Sequence, residues 1–110
     1  MGIWSCLGPT LDDVRDALYQ GKSGIIFSQE RKDAGFRSAL CADVPAVEIK
    51  KLLARNVRQF MPEEAQYAYV ATLQALENAR IDQDFLDAHE VGIIYGNDSV
   101  AESTMIALDK

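Results

Sequence analysis

The chain has 110 residues, 48% of them hydrophobic and 25% charged, with a net charge of −6. That is the balance of an ordinary globular domain, or part of one, with room for a single small core. The charge argues against a nucleic-acid binder built on phosphate neutralisation, and the longest apolar run, around Val91 to Gly96, is far too short for a membrane helix.

Met1-Gly2-Ile3-Trp4 lacks the basic start and long apolar stretch of a signal peptide, so a cytoplasmic home is expected by default. Met1-Gly2 invites a myristoylation reading, but residue six is Cys rather than Ser or Thr. Two cysteines, Cys6 and Cys41, and one histidine, His89, cannot make a Cys/His zinc site with four soft ligands. No metal and no cofactor is expected. The cysteines leave a disulfide and two reduced thiols both open, and reduced thiols are the ordinary state in a cytosolic chain.

Ile3 to Leu7 reads as the tail of a strand that stops at the breakers Gly8-Pro9. Thr10 is a good N-cap, Leu11, Val14, Ala17 and Leu18 recur at helical spacing, and Gly21 ends the helix. Ile25-Ile26-Phe27 reads as a short buried segment, Ser28 to Gly35 as exposed and polar, and Phe36 to Cys41 as a short strand. After Pro45 a second helical pattern sets Val47, Ile49, Leu52 and Leu53 against Glu48, Lys50, Lys51 and Arg55. Pro62 fits the first position of a third helix, with Glu63 and Glu64 where the helix dipole favours acids. Its apolar positions Ala65, Ala68, Tyr69, Leu73, Leu76 and Ala79 carry it to about Arg80. Tyr67, Tyr69, Leu73 and Leu76 are expected in the core. Another turn or two is expected over Asp84 to Ala88, a buried strand over Val91 to Tyr95, and a last helix toward Lys110, capped by Asp98 or Ser99.

This order suits an α/β fold: an incomplete sheet with parallel pairing and long covering helices. Both ends are expected to be cut, because the pattern begins inside a strand and stops inside a helix. A lone parallel pair needs more strands beside it to be stable.

The stretch Met1 to Gly8, then a helix, then Gly21-Lys22-Ser23-Gly24-Ile25, resembles the opening of the β-ketoacyl-acyl-carrier-protein synthases, the condensing enzymes of fatty-acid synthesis. Phe27-Ser28-Gln29-Glu30 through Gly35-Phe36-Arg37-Ser38 is similar to the synthase I branch. Arg58-Gln59-Phe60-Met61 ahead of an Ala-rich helix, and Val91 to Gly96, also fall where that family would put them. The resemblance covers essentially the whole chain. It implies a thiolase-like layered fold, with residues 1–110 as a partial N-terminal half-domain truncated at both ends.

The departures are specific. In the family the first strand begins several residues upstream, so Met1 stands at the x of a Thr-Gly-x-Gly turn. After Gly96 the family often has a Gly/Ser-rich stretch, whereas this chain has Asn97-Asp98-Ser99-Val100, which weakens the acyl-pocket role that the resemblance would give Ser99. The chain stops before the family's nucleophilic cysteine and its two histidines.

A condensing enzyme holds an acyl group as a thioester and decarboxylates a malonyl thioester to a carbanion. The first task needs a thiolate of lowered pKa, and the second needs donors aimed at the developing enolate oxygen. One histidine cannot fill both histidine positions, and neither Cys6 nor Cys41 sits in the small-residue strand-to-helix turn of the family's nucleophile. No catalytic residue is expected in this chain. Gly92 and Gly96 do not form a Gly-x-Gly-x-x-Gly turn, so nucleotide binding is not expected either.

Lys50 to Arg58 holds four positive charges and no negative one. Such a run is usually a solvated helix face. The resemblance gives it a second reading, as a docking surface for the acidic acyl carrier protein, carried by Arg55, Arg58 and, more weakly, Lys51. The resemblance thus implies a piece of an acyltransferase, inactive alone, whose partners are acyl carrier protein and a homo-oligomer. The alternative is a non-catalytic synthase-like module that binds an acidic carrier protein.

Overall fold

The computed structural model describes residues 1–97 and Met105. It is a mixed structure of helices with one small sheet, in the order α1 (Leu11–Tyr19), β1 (Ile25–Phe27), α2 (Gln29–Asp33), β2 (Leu40–Ala42), α3 (Ile49–Leu52), α4 (Arg55–Arg58), α5 (Glu63–Ala79) and α6 (Gln83–Ala88). The chain divides into two compact units, Ile3–Ala46 and Met1–Gly2 with Val47–Lys110.

In the first unit, α1 begins where Thr10 accepts a hydrogen bond from the Asp13 backbone N–H at 3.2 Å. It ends in a Schellman turn: the Gly21 N–H donates to Leu18 O, the Lys22 N–H donates to Ala17 O, and Gly21 takes φ +63°. Val14 and Ala17 are buried, so the helical stripe read from the sequence faces the core there, while Leu18 is exposed. The polar stretch after Ser28 holds the short helix α2, capped by the Ser28 hydroxyl and closed by Gly35 at φ +77°. The indole N–H of Trp4 donates to Pro45 O at 2.6 Å and ties the start of this unit to its end.

The strands differ from expectation. The sheet among the described residues is a two-stranded antiparallel pair, with Ile25 opposite Ala42, Ile26 opposite Cys41 and Phe27 opposite Leu40. Ile3 to Leu7 is not a strand, and only a bridge between Ser5 and Gly8 forms there. Val91 to Tyr95 has no regular structure, and Ile94 is fully exposed, at 102%. The physical reason is the same for both. An apolar run becomes a buried strand only when neighbouring strands satisfy its backbone groups, and no such neighbours form here.

In the second unit, the helix expected after Pro45 is broken in two. Leu53 and Ala54 are extended, with ψ of 145° and 155°, and separate α3 from α4. Neither short helix has a side-chain cap at its start. Helix α5 is the longest element, with Glu63 and Glu64 in its first turn, and Pro62 is its N-cap rather than its first helical residue. Val70 is its buried residue, Tyr67, Tyr69 and Leu76 are half-buried, and Leu73 is exposed. Gly2 lies against this helix so closely that a Cβ there would run into the carbonyl of Ala71. The Met1 ammonium donates to Asn78 Oδ1 at 2.9 Å. Helix α6 starts at Asp82, whose carboxylate accepts from the Phe85 N–H at 2.9 Å. The last predicted helix and Ser99 lie outside the described residues.

Helix α5 ends on a Schellman turn like those of α1 and α2, but the left-handed position is Arg80, at φ 56°. A Cβ in that conformation costs roughly 1–2 kcal/mol, part of which glycine returns through the greater freedom of its unfolded chain. Arg80→Gly is therefore expected to stabilise the chain by up to about 1 kcal/mol, read as a higher urea midpoint at unchanged slope. Arg80→Ala, which keeps the Cβ, should leave the midpoint nearly where it is.

Candidate functional site

The basic segment spans α3, the extended break and α4. Lys50 and Lys51 stand in the wall of a depression of about 500 Å³, whose other lining residues are Val47, Glu48, Ile49 and Gln66. Ile49 is one of the few buried apolar residues and anchors α3 beneath its lysines. Both lysines are exposed, and Lys51 Nζ pairs with Glu48 one helical turn away. That pair offsets one positive charge and leaves Lys50 as the ammonium of the depression with no acidic partner among the described residues. The Glu48–Lys51 spacing was visible in the sequence, where both residues fell on one polar face without being paired.

Arg55 and Arg58 follow on α4. Arg55 is exposed, with no side-chain partner among the described residues. Arg58 is half-buried, and its Nε is buried without a hydrogen-bond partner among the described residues. Arg58 closes α4, at the carbonyl end of the helix where a cation is favoured, while Arg55 opens it. The structure thus gathers Lys50 and Lys51 at one depression and sets Arg55 and Arg58 on the next helix. Lys51, paired with Glu48, is the weakest of the four as a free positive charge, and Lys50 and Arg55 are both exposed.

The thiols and the histidine have local roles. His89 stacks on Phe85 with ring centroids 4.0 Å apart, and its Nδ1 lies 2.8 Å from Phe85 O, so it closes the end of α6. Cys6 and Cys41 are free and half-buried. Cys6 Sγ would lie 2.5 Å from a Cβ at residue 24, so Gly24 admits the sulfur. Cys41 Sγ lies 3.8 Å from Asp43 Oδ1. Among the described residues no cluster of three or more His, Cys, Asp or Glu could hold a metal ion, and no helix is long and apolar enough to cross a membrane.

Among the described residues, a large perturbation of an ionisable group falls at Tyr67. Burial pushes its phenol up from 10.0 to about 12, helped by the hydrogen bond that its O–H donates to Glu63. A raised phenol pKa means that the fold favours the neutral form. Its contribution to stability is fully present below pH 10 and is lost as pH rises through about 12. Absorbance titration at the tyrosinate band should show a late step from Tyr67, and Tyr67→Phe should remove it.

No family model matches the chain. Individual proteins do. The 3-oxoacyl-[acyl-carrier-protein] synthase 1 of Escherichia coli K12 is 35% identical over 98 residues, which are 88% of this chain and 24% of the relative. The synthase 1 of Buchnera aphidicola from Acyrthosiphon pisum is 33% identical over 98 residues, again 88% of this chain and 24% of the relative. That of Haemophilus influenzae is 28% identical over 109 residues, 98% of this chain and 27% of the relative. The chain thus spans about a quarter of the length of the curated relatives it matches. 3-Oxoacyl is the systematic form of β-ketoacyl, so these proteins are of the kind that the sequence motifs resemble. By sequence, the chain is similar over 88% of its length to about a quarter of these 3-oxoacyl-[acyl-carrier-protein] synthases.

Proposed function

We propose that this chain is part of a fatty-acid condensing enzyme, one that joins acyl and malonyl thioesters carried on acyl carrier protein. In this reading residues 1–110 are a partial N-terminal half-domain of a thiolase-like fold, and they catalyse no condensation alone. The observation that carries it is the continuous similarity to synthase 1 proteins over 88% of the chain, against 24% of the relatives' length. Two features support the inactivity. The sequence has one histidine where the chemistry needs two, and that histidine closes a helix end.

The part of the reaction that this segment would serve is reception of the carrier. A strongly acidic carrier protein is drawn to a surface with exposed cations, and Lys50 and Arg55 are exposed and unpaired among the described residues while the chain as a whole carries −6. Titration of isotopically labelled acyl carrier protein with the chain tests this. The expected result is a set of shifts on the carrier's acidic face that fades as salt is raised. Absence of any shift at low salt would remove docking from the reading.

A further inference from the structure

The hairpin β1–β2 presents apolar side chains on both of its faces. Ile25, Phe27 and Leu40 share one face, with exposures of 56, 56 and 58%, and Ile26 on the other is 45% exposed. Lys32 Nζ sits 5.8 Å from the centre of the Phe27 ring, at the limit of a cation–π contact, and does not cover it. A two-stranded ribbon without cover is marginal in water, and sheets apolar on both faces occur where layers enclose them.

We infer that this hairpin is the seat for the part of the synthase that the chain does not contain, and that this part covers both of its faces. The inference rests on the family reading. Its occupant follows from two facts together. Roughly three-quarters of each relative's length lies outside the match, and the apolar residues lie on opposite faces of the ribbon. A second copy of the chain docking across one face would leave the other bare, whereas a polypeptide of that extra length can pass over both.

The test co-expresses the chain with a tagged Escherichia coli synthase 1 from which the matching residues have been removed. The two should co-purify. Amides of residues 25–27 and 40–42 should exchange at least about tenfold more slowly than in the chain alone. Ile25→Asp with Phe27→Asp should cut the co-purified chain about tenfold or more, while Asp12→Ser, on exposed α1, should not. A full-length chimera, with this chain in place of the matching quarter of the Escherichia coli enzyme, supplies a readout independent of that pairing. A thiol at Phe27→Cys, with Cys6 and Cys41 changed to Ser, should react with maleimide far more slowly in the chimera than in the chain. Co-purification indifferent to the hairpin changes, or equal labelling in chimera and chain, would overturn the inference and leave the family reading standing. Failure of the unaltered chain to co-purify, with dimers of the chain that the hairpin changes abolish, would overturn both.

Discussion

Val70→Asp is expected to unfold the unit built on α5. Val70 lies midway along the helix at 6% exposure, and the buried apolar residues of the described chain are few: Val14, Ala17, Ile49, Pro62 and Val70. Burying a valine side chain contributes about 1.5–3 kcal/mol, and a carboxylate in its place adds the cost of an unpaired buried charge. A loss of about 3 kcal/mol or more is a large share of what any small domain has to lose. Helical circular dichroism should lose the large share that α5 contributes, while α1 and α2 lie in the other unit. Val70→Ala removes two methylene equivalents and should cost about 1.5 kcal/mol, leaving a measurable transition at lower urea. If Val70→Asp melted where the unaltered chain does, α5 would not be packed on that face.

The second large effect concerns the carrier. Arg55→Glu with Arg58→Glu should weaken acyl carrier protein binding several-fold to tens-fold. Exposed pairs contribute about 0.2–1 kcal/mol each, and reversing charge removes attraction and adds repulsion. The loss should fall on the association rate and shrink as salt screens it, because the Debye length is only about 8 Å at physiological ionic strength. Arg58 is half-buried with its Nε enclosed, so the double change also tests packing. Arg55→Glu alone separates the two effects, since Arg55 is exposed and unpaired among the described residues. It should keep the urea midpoint while still weakening the carrier. In the chimeric enzyme, condensation of carrier-bound substrates should slow while reaction with small free thioesters stays nearly unchanged. Equal falls in both would make the residues structural. No change in either would leave Lys50 to Arg58 as a solvated surface.

What could be read from the sequence was local. Helix ends marked by residues with a single physical job were legible: Thr10 as a cap, Gly21 as a left-handed stop, the acids after Pro62. The same signals at Ser28 and Gly35 bracket α2, and the charged run between them was read instead as exposed polar chain. Partnership was not legible. Periodicity says that Val91 to Tyr95 can be buried, but burial needs strands that residues 1–97 do not supply. The break at Leu53 and Ala54 gave no warning either, because both residues are good helix formers and the apolar spacing runs through them. Arg80 likewise holds a conformation that sequence would assign to glycine. For the basic segment, the residue types were legible but their states were not. Only the folded chain distinguishes Lys51, paired with Glu48, from Arg55, which has no partner among the described residues.

The central proposal is that this chain is part of a condensing enzyme and does not itself hold the condensing chemistry. The direct measurement is the rate of 3-oxoacyl product formation from acyl- and malonyl-carrier substrates by the purified chain, beside its Cys6→Ser, Cys41→Ser form. The account predicts no turnover above background in either, because the histidine pair and a nucleophile at a strand-to-helix turn are both missing. Turnover by the unaltered chain that disappears in the double-serine form would place a working thiol in these 110 residues and contradict it.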